Sequence, residues 1–397
     1  MDDEDTIKLP QIRQDLSARI AEGPPSSGPT SSLTKTRKRR PTWRHIVLMS
    51  CLLLFLGGGT TAYGYYYFNI QKPLSNIIHP VSRGEGEPGV GNNATPDTGA
   101  ITGRTWNILL LGSDDDGKYT FPGVLTQVMM IVHIDTVNNS VYLVSIPRDS
   151  WVYVPEIGGM HKIDQAFKFA ANQHNSFDDG VRTARLTIEQ DYGITIDRYA
   201  WIGLSGFAKI IDTLGGIDID VTHPVVDDTY PDDTQANPND PYAFERLYLE
   251  PGPQHLDGLQ ALAYVRSRHA DLIGDIGRTQ RQQQILEALK KKLNLASVIS
   301  HLPELIADLQ NQVYTDVSEQ EIIAFANYAR TLSGSAIQRI TLGPGVGEQN
   351  FGAYDTAYDP AIGSEDVIIP NCATIQPVIN SIFGLGDAQS CNVSGPG

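Results

Sequence analysis

Arg266, Arg268, Arg278, Arg281 and Gln282 lie close together in the stretch YVRSRHADLIGDIGRTQRQQQIL, in a chain whose 46 Asp+Glu outnumber its 30 Lys+Arg. Guanidiniums gathered this closely repel one another, and an anion between them removes that cost. The planar arginine fork donates two parallel hydrogen bonds, a geometry suited to a phosphate. The competing account is a set of surface ion pairs with Asp271 and Asp275, which would contribute little. Arg278, Arg281 and Gln282 are spaced i, i+3, i+4, on one face of a helix expected over Arg278–Leu293. In the first turn of that helix, free N–H groups and the helix dipole would also favour an anion. The same stripe continues through Ile285 and Leu289, so these guanidiniums should border the core.

A second group of residues could share that site. Asp114 follows the apolar run NILLL, and Arg148 and Asp149 follow VYLVSI. In open α/β sheets, ligands bind beyond the carboxyl ends of strands, so Asp114, Arg148 and Asp149 are expected at one mouth. Carboxylates at such a mouth suit a hard cation such as Mg²⁺, which also binds phosphate oxygens. A solvated turn is the alternative for the run Asp114-Asp115-Asp116. No CxxC or HExxH occurs, and GLSGF at 203–207 misses the serine nucleophile elbow at its last position. Zinc chemistry and the usual serine hydrolases therefore find no support.

The elements that must position these groups are legible in the hydrophobic pattern. Asn107–Leu111, Val128–Ile134 and Val141–Ile146 are short apolar runs bounded by Gly, Asn or Pro, as buried strands are. Helical spacing follows at Gln165–Ala171 and Gly180–Gln190. Tyr199–Leu204 fits a strand or a helix entry, Ser205–Leu214 a helix closed by Gly215-Gly216, and Ile217–Val221 a strand. Leu259–Tyr264 and Arg278–Leu293 are helical, and Ile210, Leu214, Ile285 and Leu289 should line the core. Further helices are expected at Ala296–Leu309 and Glu319–Leu332, the second opened by a Ser318/Glu321 capping box. Ile337–Leu342 suits an edge strand, and Val367–Ile369 with Ile375–Phe383 one more strand and helix. Strands alternating with helices predict an α/β fold.

Ile46–Phe68 carries no charged residue and is long enough to cross a bilayer as a helix. Trp43 and Tyr65-Tyr66-Tyr67 suit the two interfaces, and the cations from Lys35 to Arg44 put the preceding residues in the cytoplasm. KTRKRR is thereby explained by topology, and nucleic acid is not an expected partner. The expected organisation is a disordered cytoplasmic tail (1–45), a single span (46–68) and a Gly/Pro-rich tether (69–104). A catalytic domain (105–295), a helical extension (296–342) and a Gly/Pro-rich C-terminal segment (343–397) complete it. The main domain is thus expected outside the cell membrane. Cys51 lies in the span. Cys372 and Cys391 lie outside, where either a disulfide or two free thiols is open.

Together the segments NILLLGSD, VMMIVHID, VYLVSIPRDSWVYVP, HKIDQAF, YGITIDRYAWIGLSGFAKIIDTLGGIDIDV, PGPQHLDGLQALAYVRSRH and GDIGRTQRQQQIL resemble the LytR–CpsA–Psr family, in the family's order, from Trp106 to Leu293. The resemblance implies an α-β-α sandwich with a central mixed sheet behind one transmembrane helix. It implies a phosphotransferase that moves a glycopolymer from a polyprenyl-pyrophosphate carrier to peptidoglycan or a related cell-wall acceptor, with Mg²⁺ or Mn²⁺, its lipid tail in an apolar tunnel that some of Ile210, Leu214, Ile285 and Leu289 should face. By position Asp114 matches a metal-associated acid, and Arg148, Arg266, Arg268, Arg278 and Gln282 match the pyrophosphate-binding set, to which Arg281 is added from its spacing. Asp114 or Asp149 is then the candidate base for the acceptor hydroxyl. Two departures stand out: Gln127-Val128 replaces the family's usual Asp-Thr, and Asp116 stands where an Arg is common. Either Asp116 supplies the lost carboxylate, with Gln127 ligating through its amide oxygen, or this member is a non-catalytic lipid-binding scaffold or regulator.

Overall fold

The computed structural model describes residues 61, 63–84, 101–115, 120–232, 243–267, 274–293, 304–345, 347–386 and 391–395. All belong to the unit Gly59–Gly397. The three apolar runs form β1 (Thr105–Ser113), β2 (Thr126–Asp135) and β3 (Ser140–Ile146), paired antiparallel in that order. A ribbon, β4 (Trp151–Tyr153) with β5 (Met160–Lys162), precedes helices α1 (Gln165–His174) and α2 (Phe177–Tyr192). Next come β6 (Arg198–Ile202), α3 (Leu204–Thr213), β7 (Ile217–Val221), β8 (Val225–Pro231), β9 (Phe244–Leu249) and β10 (Gly252–Leu256). Then follow α4 (Gly258–Arg266), α5 (Gly274–Leu293), β11 (Val313–Thr315), α6 (Glu319–Thr331) and β12 (Ile337–Thr341). The hairpin β13 (Gly352–Asp359) and β14 (Gly363–Pro370) and helix α7 (Cys372–Phe383) close the chain.

The central sheet runs β11-β6-β1-β2-β3-β12 and is mixed, because β6 and β12 join in parallel while the other pairs are antiparallel. Side chains alternate faces along each strand. Leu109, Leu111, Met129, Ile131, Val144 and Ile146 pack beneath α1, α2 and α7. Ile108, Met130, Ile134 and Leu143 face the other way, toward Leu286 of α5 and Phe325 and Tyr328 of α6. Each such burial contributes roughly 1.5–3 kcal/mol. A one-residue slip would turn every one of these side chains to the wrong layer, which fixes the register. The architecture is therefore the expected α-β-α sandwich.

A second core gathers α3, α4 and α5 over β7 and β10, with Ile211, Ile217, Ile219, Leu256 and Ile285 buried together. Gly258 opens α4 so close to the Ala208 carbonyl that a Cβ would collide with it. Its N–H donates to Asp212 Oδ1 at 2.7 Å, tying α4 to α3.

Several expectations change. Helix α5 begins at Gly274, one turn before Arg278, so Arg278, Arg281 and Gln282 are not at its N-terminus and its free N–H groups do not sit beside them. Composition placed 69–104 in a tether, yet residues 72–84 pack on the domain. Leu74, Ile77 and Val81 are buried, Tyr199 donates its hydroxyl to the His79 carbonyl, and Arg83 pairs with the buried Glu189 at 2.9 Å. A few apolar anchors among Gly, Pro and Asn suffice to dock it. The stretch 296–342 supplies both edge strands of the central sheet, β11 and β12. The C-terminal segment forms the β13–β14 hairpin and α7, with Cys372 and Cys391 joined in a disulfide. The expected span at 46–68 lies outside the described residues except near its end. Among the described residues no helix is long and apolar enough to cross a membrane.

Candidate functional site

Asp114 leaves the end of β1, where the register against β2 shifts between Gly112 and Ser113. A Cβ on Gly112 would lie 3.0 Å from that of Val128, so the strands approach closely there. The shift turns the Asp114 carboxylate back onto the entry of β2. Its Oδ1 accepts from the Leu125 N–H at 2.8 Å and its Oδ2 from the Gln127 side-chain amide at 3.1 Å. The other end of that amide, Oε1, accepts from Arg148. Gln127 is thus oriented by charge at both ends, its NH₂ toward a carboxylate and its oxygen toward a guanidinium. Arg148 also donates from Nε to Asp149 at 3.3 Å, and Lys162 Nζ lies 3.1 Å from the other Asp149 oxygen.

Gln127, Arg148, Arg278 and Gln282 come together around one polar cleft, with Ser145 and Thr279 beside them. The buried Arg278 and the half-buried Gln282 reach it from α5, Gln127 from β2, and Arg148 from the turn after β3. The free volume is about 10 Å³, room for one water. A larger anion enters only if the long arginine side chains swing outward. Immediately alongside, sharing Gln127, Val128 and Gln282, lies an apolar cavity of about 270 Å³. Leu110, Phe207, Ile210, Leu262 and Ile285 line it, between the sheet and helices α3, α4 and α5. Ile210 and Ile285 therefore face the cavity as expected, whereas Leu289 packs into the second core and Leu214 caps α3.

Other site candidates lie elsewhere. Arg281 turns to the end of α4, where its Nε donates to the Tyr264 carbonyl at 2.6 Å and its Nη2 to the Ser267 carbonyl. Burial pulls its basicity down. The α5 stripe puts Arg281 inward as expected, but its partners are the last carbonyls of α4. Arg281→Met should therefore act on stability. Two buried carbonyls would each lose a charged donor, at about 1–3 kcal/mol apiece, so the melting temperature should fall by several degrees while diphosphate affinity at low temperature stays near wild type. Calorimetry alongside a ligand titration checks both. Arg266 ends α4 with its guanidinium 5.9 Å from the Tyr230 ring and does not line the cleft. Arg268 and Asp116 lie outside the described residues.

One acid went unnoticed in the sequence. Asp164 is buried, and its N–H donates to the Arg148 carbonyl at 3.2 Å. Its own carbonyl accepts from both the N–H and the hydroxyl of Thr126, the residue before Gln127. Burial pushes its carboxyl up to about 7, opposed by the Arg148 charge. Asp164 thus fixes the backbones that carry Arg148 and Gln127. The signal available was an acid directly after the apolar Ile163 in HKIDQAF.

The LytR_cpsA_psr family model matches residues 65–362, and the chain belongs to this family. A polyisoprenyl-teichoic acid–peptidoglycan teichoic acid transferase, TagU, from Bacillus mycoides is 28% identical over 317 residues, 79% of this chain and 91% of that protein. The Oceanobacillus iheyensis TagU is 30% identical over 303 residues, covering 74% of this chain and 83% of its own. Among solved structures, B. subtilis TagV superposes with a TM-score of 0.53 at 24% identity, over 70% of this chain and 96% of that one. A structure of TagT bound to LI-WTA gives a TM-score of 0.54 at 20% identity, over 77% and 100%. These two likenesses concern the fold.

Proposed function

We propose that this protein is a membrane-anchored phosphotransferase that moves a glycopolymer from a polyprenyl-diphosphate carrier to peptidoglycan or a related cell-wall acceptor. The relatives' teichoic acid transferase activity supports this reading. The observation that carries it is the junction of a cationic cleft with an apolar cavity, a pairing that matches a diphosphate bonded to a hydrocarbon. An engineered cavity of about 150 Å³ takes benzene, so one of 270 Å³ takes roughly ten carbons, or about two isoprene units next to the diphosphate.

Arg148 and Arg278 hold the diphosphate oxygens and neutralise charge that grows on them during transfer, with Gln282 donating from its amide. The acceptor hydroxyl attacks the phosphorus that bears the glycan. A new P–O bond forms, the bridging P–O bond breaks, and polyprenyl monophosphate leaves. The hydroxyl proton passes to a carboxylate. Asp149 is held by two cations, Arg148 and Lys162, whereas Asp114 accepts from the neutral donors of Leu125 and Gln127. Either carboxylate, Asp114 or Asp149, is placed to take that proton.

The donor set suits Mg²⁺ or Mn²⁺ in a limited way. Among the described residues no three His, Cys, Asp or Glu side chains gather to hold a metal. A phosphate-bound Mg²⁺ typically needs only one or two protein carboxylates, and Asp114 offers one. When bound, such an ion adds positive charge at the transferring phosphoryl group. Gln127→Asp tests the position. The new carboxylate would face Asp114 and repel it, a cost a cation removes. Mg²⁺ should raise the variant's melting temperature more than the wild type's, and transfer should become more metal-responsive. No change in either would mean that position 127 does not approach the metal.

The full reading is tested by incubating the full-length protein in detergent micelles with a short polyprenyl-diphosphate saccharide and a muropeptide acceptor, with and without Mg²⁺. Transfer of the glycosyl phosphate with release of polyprenyl monophosphate is expected. Binding of the lipid without turnover under any metal condition would leave only a lipid-binding scaffold.

A further inference from the structure

The hairpin β13–β14 leaves the C-terminal end of the fold and docks on the turn that carries Arg148 and Asp149. The Ile368 N–H donates to the Asp149 carbonyl at 2.8 Å, and Ser150 bridges to Ile368. The contact continues through side chains, for Lys162 lies 3.1 Å from Asp149 and 3.4 Å from Glu365 of β14. Gln165 donates to the same glutamate at 2.9 Å, and the buried His161 and Asp359 meet at 2.7 Å beneath the hairpin tip. The hairpin is therefore fixed to the site and not loosely appended.

Between hairpin and turn lies a groove of about 520 Å³, lined by Asp149, Tyr354, Asp355, Thr356 and Asp366 among others. It is far roomier than the cleft at Gln127 and Arg278, and it ends on Asp149. Alternation along β13 puts Tyr354, Thr356 and Tyr358 on one side of the strand, and Asp366 pairs across from Thr356. Tyr354 is 63% exposed and Tyr358 72% exposed. Tyr354 lines the groove, and Tyr358 continues the same strand face about 14 Å further along, beyond the groove's lining. Aromatic faces of this kind stack on the C–H faces of sugar rings, while carboxylates and hydroxyls take the sugar hydroxyls.

Charge decides which sugar. Asp355 and Asp366 line the groove beside the cation-paired Asp149 and would repel a polyanionic glycopolymer. The same acids argue against an anionic bilayer surface as the occupant.

We propose that this groove is the acceptor subsite, taking an uncharged oligosaccharide whose rings stack on Tyr354 and Tyr358 and whose free hydroxyl is delivered toward Asp149. The proposal rests on the transfer reading above. It separates the two substrates by charge, with the anionic donor held by the arginine cleft and the neutral acceptor held by the acidic groove.

The probe is an uncharged N-acetylglucosamine tetrasaccharide, titrated into the full-length protein in detergent micelles and followed by saturation-transfer NMR. Tyr354→Ala with Tyr358→Ala should weaken its binding at least tenfold without lowering the melting temperature. The Tyr354→Phe, Tyr358→Phe pair keeps the rings and should retain binding within about threefold. Arg278→Ala should leave saccharide binding unchanged, and a glycerol-phosphate oligomer should not displace the probe. Absence of binding to the wild type, undiminished binding to the double alanine variant, or displacement by the anionic oligomer each overturns the assignment. Polyprenyl-diphosphate binding is measured on the same samples. If it persists while the saccharide fails to bind, only the acceptor subsite falls. If the saccharide binds the hairpin and the diphosphate lipid binds nowhere, the transfer reading falls instead.

Discussion

Replacing Arg278 with alanine should weaken polyprenyl-diphosphate binding by about ten- to hundredfold, because a hydrogen bond to a charged partner contributes roughly 1.5–3 kcal/mol and each 1.4 kcal/mol is a factor of ten. Arg278 is only 6% exposed and shares its cleft with the Arg148 guanidinium. Removing one of two neighbouring cations relieves their repulsion when no anion lies between them. Folding should therefore suffer less than affinity. Arg278→Lys separates charge from geometry. It keeps the positive charge but loses the planar fork, so its affinity should fall between alanine and wild type. Titration calorimetry with a short-chain polyprenyl diphosphate, together with thermal melts, reads both quantities. A folded Arg278→Ala variant with wild-type affinity would remove the cleft from the binding site.

The stability of the fold should decline steadily from pH 4 to pH 8, and Asp191→Asn should abolish much of that slope. Asp191 lies near the end of α2, 1% exposed, with no hydrogen-bond partner for Oδ2. Burial raises its carboxyl from an ordinary 3.8 to about 8. The sign follows from linkage. Above pH 4 the unfolded chain releases this proton while the folded chain keeps it until about pH 8, so each added pH unit favours unfolding. One unit corresponds to about 1.4 kcal/mol, so the full interval costs on the order of 5 kcal/mol. Asp164, pushed up to about 7, and Asp316, pushed up to about 6, act in the same direction over narrower ranges. Asparagine stays neutral throughout. Its NH₂ costs about 1–3 kcal/mol if it finds no acceptor in this site, so the variant should be no more stable than wild type at pH 4. At pH 8 it should be the more stable of the two. Denaturant midpoints at several pH values show the crossover. Parallel curves for the two proteins would mean that the carboxylate is hydrated in solution.

Asp164 and Gln127 show where local pattern stops being informative. The three central strands and most helices were visible in the chain because burial on one face or two imposes a period, and period survives in sequence. The capping box at Ser318 and Glu321 was equally visible, since all its partners lie within four residues. The helix start at Gly274 was missed because Gly274 and Gly277, poor helix formers, flank the turn before Arg278. The place of Asp164 in HKIDQAF was missed because the groups its backbone meets, on Thr126 and Arg148, belong to a strand and a turn elsewhere in the chain.

By itself, then, the sequence marked the α/β class, the three central strands and the residues whose chemistry suits an anion. Residue type and spacing carry that much, because side-chain chemistry and periodicity are local properties. Only the tertiary structure decided which arginines share a cleft. Arg148 and Arg278 meet across the β3–α5 junction, whereas Arg281, three residues along the same helix, turns to the carbonyls that end α4. It alone also joined the acidic hairpin at 352–370 to Asp149 and stapled Cys372 to Cys391. Contacts between distant segments depend on how layers pack, and no window along the chain contains both partners.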